Sequence, residues 1–203
     1  MTPVYFYKTK ITPGKIVCIG RNYVAHIAEL GNQTPDQMVV FIKPASAIGA
    51  ELNSSLDEPL HYETEICFLV RNQQLSAVGV GFDLTKRQLQ DQLKEKRLPW
   101  ERAKAFDGSA LFSEFVAMPD DISQLSVELR IDGELTQQGS VQQMLYPPQA
   151  MINELQTFLS LQDDDIIMTG TPQGVGPVRA GARYEAAIRY NDVVIVSNEW
   201  IAL

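Results

Sequence analysis

What this chain has little of narrows its chemistry before any motif is read. Among 203 residues there are two cysteines and two histidines. Cys18 and Cys67 each lie inside a β-branched or aromatic run, where a thiol reads as a small buried hydrophobe, not a disulfide framework or zinc site. That pattern suits a reducing cytoplasm, the compartment expected here. The opening MTPVYFYKTK has no apolar signal core that would direct secretion. Apolar runs such as residues 66–70 are far too short to cross a bilayer, so no membrane partner is expected. Basic blocks are missing too; residues 94–97 (KEKR) are mixed in sign and read as a solvated helix end. With a net charge of -8, a nucleic-acid backbone is excluded as partner, and an anionic substrate needs a local cation to hold it.

What is present describes a globular chain, 45% hydrophobic and 21% charged, with no repeat, low-complexity tract or linker. One domain over residues 1–203 is the simplest organisation. Short apolar runs at 15–19, 38–42, 66–70 and 166–169 read as strands. Residues 126–138 alternate about Asp132-Gly133 as a hairpin. Residues 184–190 and 193–200 flank a turn at Asn191-Asp192. Helices are expected at 22–30, capped by Gly31, at 85–97, where Thr85 and Gln88 have capping-box spacing, and at 148–159, which opens on Pro148. In the last, Met151, Ile152, Leu155, Phe158 and Leu159 form a core stripe. Long strand runs without regular βα alternation predict an α+β, mostly-β fold.

The candidate chemistry begins at LHYETEICFLV, residues 60–70. Alternate side chains of a strand share a face, so Glu63 and Glu65 point the same way, with Cys67 and Leu69 continuing that face inward. Two neighbouring carboxylates repel, so either that strand end is in water or a cation lies between them. Asp83, at the end of VGVGFD, offers a third carboxylate. Together the three make an all-oxygen set suited to Mg²⁺, Mn²⁺ or Ca²⁺. Arg87 falls in a helix first turn, where the dipole disfavours a cation. It either points to solvent or meets Asp83 or an anionic ligand. His26 and Glu29, three apart on a short helix, share a face, and a carboxylate on an imidazole suits a general base. A lone pair of this kind is more often a surface pair. His61 either supports Glu63 or merely begins the strand. The loop TGTPQGVGP, 169–177, has N–H and hydroxyl groups able to hold a carboxylate or phosphate. It lacks the lysine of a nucleotide-binding P-loop, and a plain turn is the simpler alternative.

In order along the chain, GRNYxxH, the ExE of HYETE, DLTxRxxQ, LPWxxAKAFD and TGTPxGVGP resemble the fumarylacetoacetate hydrolase family. The similarity runs from Lys15 onward and is greatest to short single-domain members that resemble acylpyruvate hydrolase and also act on oxaloacetate. It implies a mixed β-roll or sandwich with a few short helices, a homodimer, and Mg²⁺ or Mn²⁺ on Glu63, Glu65 and Asp83. Carried over residue by residue, Arg87, Gln90, Lys104 and Thr171 contact substrate oxygens, and Arg21, beside the lid that carries His26, is a further substrate contact. His26 and Glu29 form a water-activating dyad on a lid, and Lys104 stabilises a pyruvate enolate. The implied reaction is hydrolysis of a C–C bond in a 2,4-dioxo acid. Oxaloacetate decarboxylase or tautomerase activity, or isomerisation of a 2-hydroxyhepta-2,4-diene-1,7-dioate, is the alternative on the same scaffold. One departure falls at Asp164, where the family shows glycine.

Overall fold

The computed structural model describes residues 2–31 and 33–203. Its main sheet runs, in spatial order, Val116–Ala117, Gln74–Asp83, Thr64–Arg71, Ile166–Met168, Lys15–Gly20 and Val39–Pro44, with Ala110–Phe112 pairing on Gln74–Asp83 as well. It is a mixed sheet. Ile166–Met168 lies parallel to Lys15–Gly20 and antiparallel to Thr64–Arg71. A second, antiparallel sheet of Glu134–Ser140, Leu125–Ile131, Arg183–Tyr190 and Val193–Ile201 faces it. The mostly-β architecture with few short helices is the one expected.

Residues 66–70 are apolar without alternation because both faces of that strand are covered. Ile66, Phe68 and Val70 enter the larger core, which also takes Val127, Leu129 and Ile188 of the second sheet. Cys67 and Leu69 point the other way into a smaller cluster with Ile16, Cys18, Ile166 and Met168. Both cysteines are free and buried. The hairpin turns at Asp132 (φ 52°) and Gly133 (φ 85°), the two left-handed residues that a tight two-residue turn requires. Asn191 and Asp192 repeat the device at φ 49° and 63°. Asp164 has φ 68°, which explains why a glycine suits that position.

Three helix expectations need correction. The segment predicted to start at Thr85 begins at Arg87, and Thr85 belongs to the strand Thr85–Lys86. Its hydroxyl turns into the interior, so the capping box does not form. Glu58, from a distant loop, supplies the cap, accepting Gln88 N–H at 2.9 Å and Leu89 N–H at 3.2 Å. The last helix is Pro148–Leu155; it ends before Phe158, whose side chain leaves the core and is 62% exposed. The first is Val24–Glu29, followed by Leu30 and a left-handed Gly31. Glu101–Lys104 forms a further short helix that periodicity did not mark.

Candidate active site

Antiparallel pairing brings the three carboxylates together. Asp83 ends Gln74–Asp83, Glu65 lies in the neighbouring Thr64–Arg71, and Glu63 sits between Leu60–Tyr62 and Thr64–Arg71. Asp83 N–H donates to the Glu63 carbonyl at 2.9 Å, which locks the two residues side by side. All three side chains are buried, and one oxygen from each lies within 4.8 Å of the others.

Buried like charges need counter-charge, and three cations surround the group. Lys104 Nζ donates to Glu63 Oε2 and Asp83 Oδ2, both at 2.8 Å, and to Thr85 Oγ1 at 2.6 Å. Arg87 ion-pairs with Glu63, not Asp83, and donates to Gln90 Oε1 at 2.7 Å. Lys43, fully buried, was absent from the sequence candidates. Its Nζ lies 2.8 Å from Asp83 Oδ1, donates to Ser109 Oγ at 3.0 Å and reaches the Lys104 carbonyl. The Lys43 contact is an ion pair out of hydrogen-bond alignment, so Asp83 Oδ1 accepts no hydrogen bond among the described residues. One sequence signal could have found Lys43: in VVFIKP it shares a strand face with Val39 and Phe41.

The cations are not shared evenly. Burial alone would raise Glu63, but Lys104 and Arg87 outweigh it and hold the carboxyl well below the usual range. Glu65 goes the other way. Burial, then Asp83 and Glu63, push it well above an ordinary carboxylate, and a backbone donor, Gly170 N–H at 2.7 Å from Oε2, only partly opposes them. Three hard oxygen donors, one destabilised as an anion and one with a bare oxygen, fit a divalent cation such as Mg²⁺ or Mn²⁺.

His26 Nδ1 is 3.1 Å from Glu29 Oε2, and Glu29 Oε1 accepts Gly174 N–H at 2.9 Å. The segment before this helix is pinned by Asn22, wholly buried, which donates to the Thr169 carbonyl at 2.8 Å and accepts Tyr146 N–H at 2.8 Å. Residues 169–177 do hold carboxylates, but those of the protein itself: Gly170 holds Glu65 and Gly174 holds Glu29. The Thr171 hydroxyl donates to the Thr64 carbonyl at 2.9 Å and accepts from Gln137 Nε2 at 2.9 Å. Buried Gln137, unmarked in the sequence, also receives Thr64 N–H and so ties the loop to the carboxylate strand.

Gly174 has φ 100°, and a Cβ there would lie 2.2 Å from the Thr136 carbonyl oxygen. Gly174→Ala is therefore expected to cost about 1–3 kcal/mol in urea unfolding and to loosen the Glu29 contact. An unchanged unfolding midpoint would show that the loop shifts freely.

Every site residue predicted from the sequence except Glu29 lines one narrow cavity of about 40 Å³: Arg21, His26, Glu63, Glu65, Asp83, Arg87, Gln90, Lys104 and Thr171. Glu29 stands behind His26 and lines an adjoining cavity. His61 also lies there, half-buried and pushed below its ordinary pKa by burial and Arg87, and it does not line the carboxylate cavity. Among the described residues no helix is long and apolar enough to cross a membrane.

This fold and site define an enzyme class in which a β scaffold gathers buried oxygen donors and a His–Glu pair about one cavity. The chain belongs to the fumarylacetoacetate hydrolase family: residues 15–201 match the fumarylacetoacetate (FAA) hydrolase C-terminal domain. Oxaloacetate tautomerase YcgM of Escherichia coli K12 is 34% identical over 186 residues, 82% of this chain and 84% of that protein. A candidate fumarylacetoacetate isomerase/hydrolase from Oleispira antarctica aligns in structure with a TM-score of 0.92 at 36% identity, over 100% of both chains. Fumarylpyruvate hydrolase from Pseudomonas aeruginosa, solved with Mn²⁺ and pyruvate, aligns at 0.86 and 26% identity, over 100% of this chain and 96% of that one.

Proposed function

We propose that this chain catalyses keto–enol tautomerisation of oxaloacetate, with a divalent cation held by Glu63, Glu65 and Asp83. The observation that carries the proposal is that the carboxylate group and His26 share one cavity, with Lys104 among the carboxylates. Glu29 engages His26 Nδ1, which leaves Nε2 for proton transfer and stabilises the imidazolium that results. Tautomerisation needs a base for the C3 proton and positive charge where the C2 oxygen becomes anionic. A bound Mg²⁺ or Mn²⁺ supplies Lewis-acid charge there. Lys104 adds its ammonium, and Arg87 and Gln90 orient the substrate carboxylate. As the C3 proton passes to Nε2, the electron pair moves through C2–C3 to the oxygen, which then takes up a proton.

The family resemblance of the motifs implies acylpyruvate hydrolysis first. The name of the E. coli relative supports oxaloacetate as substrate and moves tautomerisation ahead. Hydrolysis remains the second reading, because the same His26–Glu29 pair suits activation of water and the P. aeruginosa neighbour is named a hydrolase. A dienedioate isomerase would use the same proton relay. A single catalytic domain, a homodimer and a cytoplasmic location belong to the same proposal.

The test follows enol-oxaloacetate by ultraviolet absorbance with Mn²⁺ present, alongside pyruvate release from acetylpyruvate. Decay faster than with Mn²⁺ alone is expected. Pyruvate release without faster decay would put hydrolysis first, and neither activity would overturn both readings.

A further inference from the structure

We infer that Lys94 reads the distal carboxylate of the substrate and so selects dicarboxylic over monocarboxylic acids. The inference rests on the proposed 2-oxo acid chemistry and adds a residue that the sequence alone placed on a solvated helix end.

Helix Arg87–Glu95 carries Arg87, Gln90 and Lys94 at i, i+3 and i+7, and all three line the carboxylate cavity. Arg87 and Gln90 are bound to each other, and Arg87 to Glu63, at the inner end. Lys94 lies roughly 10 Å further along the helix axis. It lines both the carboxylate cavity and the adjoining one of about 300 Å³, which also touches Glu29, Leu30, His61, Arg87, Asp91 and Val175. Lys94 therefore stands where the two spaces meet, beyond the donors that serve the first carboxylate.

The charges around it favour an anion. Lys104 and Lys43 are held by Glu63 and Asp83, and Arg87 is held by Glu63 through Nη2, with its buried Nε left to serve the first carboxylate. Among the described residues Lys94 has only a loose ion pair with Asp91, 3.6 Å away on a carboxylate 60% exposed, and its ammonium sits 5.7 Å from the Trp100 ring centroid. Arg87 and Arg21 act on it as like charges, and burial together with Arg87 pushes the amine below its ordinary pKa despite Asp91. Lys94 meets Arg87 and Arg21 as like charges in this cavity, and an anion bound beside it lowers that repulsion. A monocarboxylate satisfies only the inner donors. A diacid also relieves the repulsion at Lys94.

The test compares L-malate with L-lactate, which present the same 2-hydroxy acid end and differ in the distal carboxylate. Binding to the Mn²⁺-loaded protein is measured by calorimetry. The wild type is expected to favour malate by about tenfold to a hundredfold, the range for a hydrogen-bonded charge pair. In Lys94→Met the preference collapses to about twofold with lactate affinity unchanged, and Lys94→Arg restores most of it. A preference that persists in Lys94→Met overturns the assignment while leaving the 2-oxo acid reading intact. If neither acid binds wild type, that reading fails, and this inference with it.

Discussion

His26→Ala is expected to lower turnover of oxaloacetate by about 10²–10⁴-fold, the range for loss of a positioned general base, with the Mn²⁺ dissociation constant within twofold. The expectation follows from two separations in the site. His26 is not one of the three residues whose oxygens converge within 4.8 Å, so the cation's donor set survives the change. Its ring is oriented from behind, through Nδ1 and Glu29, and Glu29 is in turn held by the backbone of Gly174. Kinetics and calorimetry on the same preparation check both halves. Full activity would remove His26 from the chemistry. A parallel loss of Mn²⁺ affinity would make it a ligand or a structural prop. Glu29→Gln is expected to fall between wild type and His26→Ala, because an amide keeps the orienting hydrogen bond but not the negative charge.

Lys43→Met is expected to destabilise the metal-free protein by about 3–5 kcal/mol, the cost of removing one partner from a buried ion pair. Over a chain of this length that lowers Tm by roughly 6–20 °C. Methionine fills much of the same volume, so the loss reports charge rather than a cavity. The Lys43 ammonium meets Asp83 Oδ1, Ser109 Oγ and the Lys104 carbonyl in a place with no access to water. Without it, Asp83 keeps only Lys104 against two neighbouring glutamates, and the Lys104 carbonyl loses a donor. A divalent cation returns positive charge to the same carboxylates. Mn²⁺ at about 100 times its dissociation constant is therefore expected to recover about 2.7 kcal/mol. Scanning calorimetry with and without Mn²⁺ checks this. A Tm within 2 °C of wild type would show that the buried pair adds no net stability.

The strands were readable because apolar runs and paired turn residues are local signals. Asp132-Gly133 and Asn191-Asp192 each demand two left-handed residues, and few sequences offer them cheaply. Thr85 misled because a capping-box spacing is equally local, while the cap itself, Glu58, comes from a distant loop. Phe158 misled because its helix ends at Leu155, so the 3.6-residue stripe no longer applies. Gln137 and Lys94 went unseen because a polar residue in a strand or helix carries no mark of burial until another segment covers it. For Lys43 the one local signal was its shared strand face with Val39 and Phe41, which does not say what covers it.

By itself, the sequence determined that Glu63 and Glu65 stand beside each other and that His26 and Glu29 share a helix face, since chain geometry dictates both. It determined the family as well, through five ordered motifs. Only the tertiary structure decided what balances the glutamates. Antiparallel pairing carries Asp83 to Glu63, while Lys104, Arg87 and Lys43 arrive from other elements to neutralise a buried anionic cluster. Counter-charge at such a site comes from residues 21 to 41 positions away, from Asp83–Lys104 to Glu63–Lys104, and local spacing does not encode it.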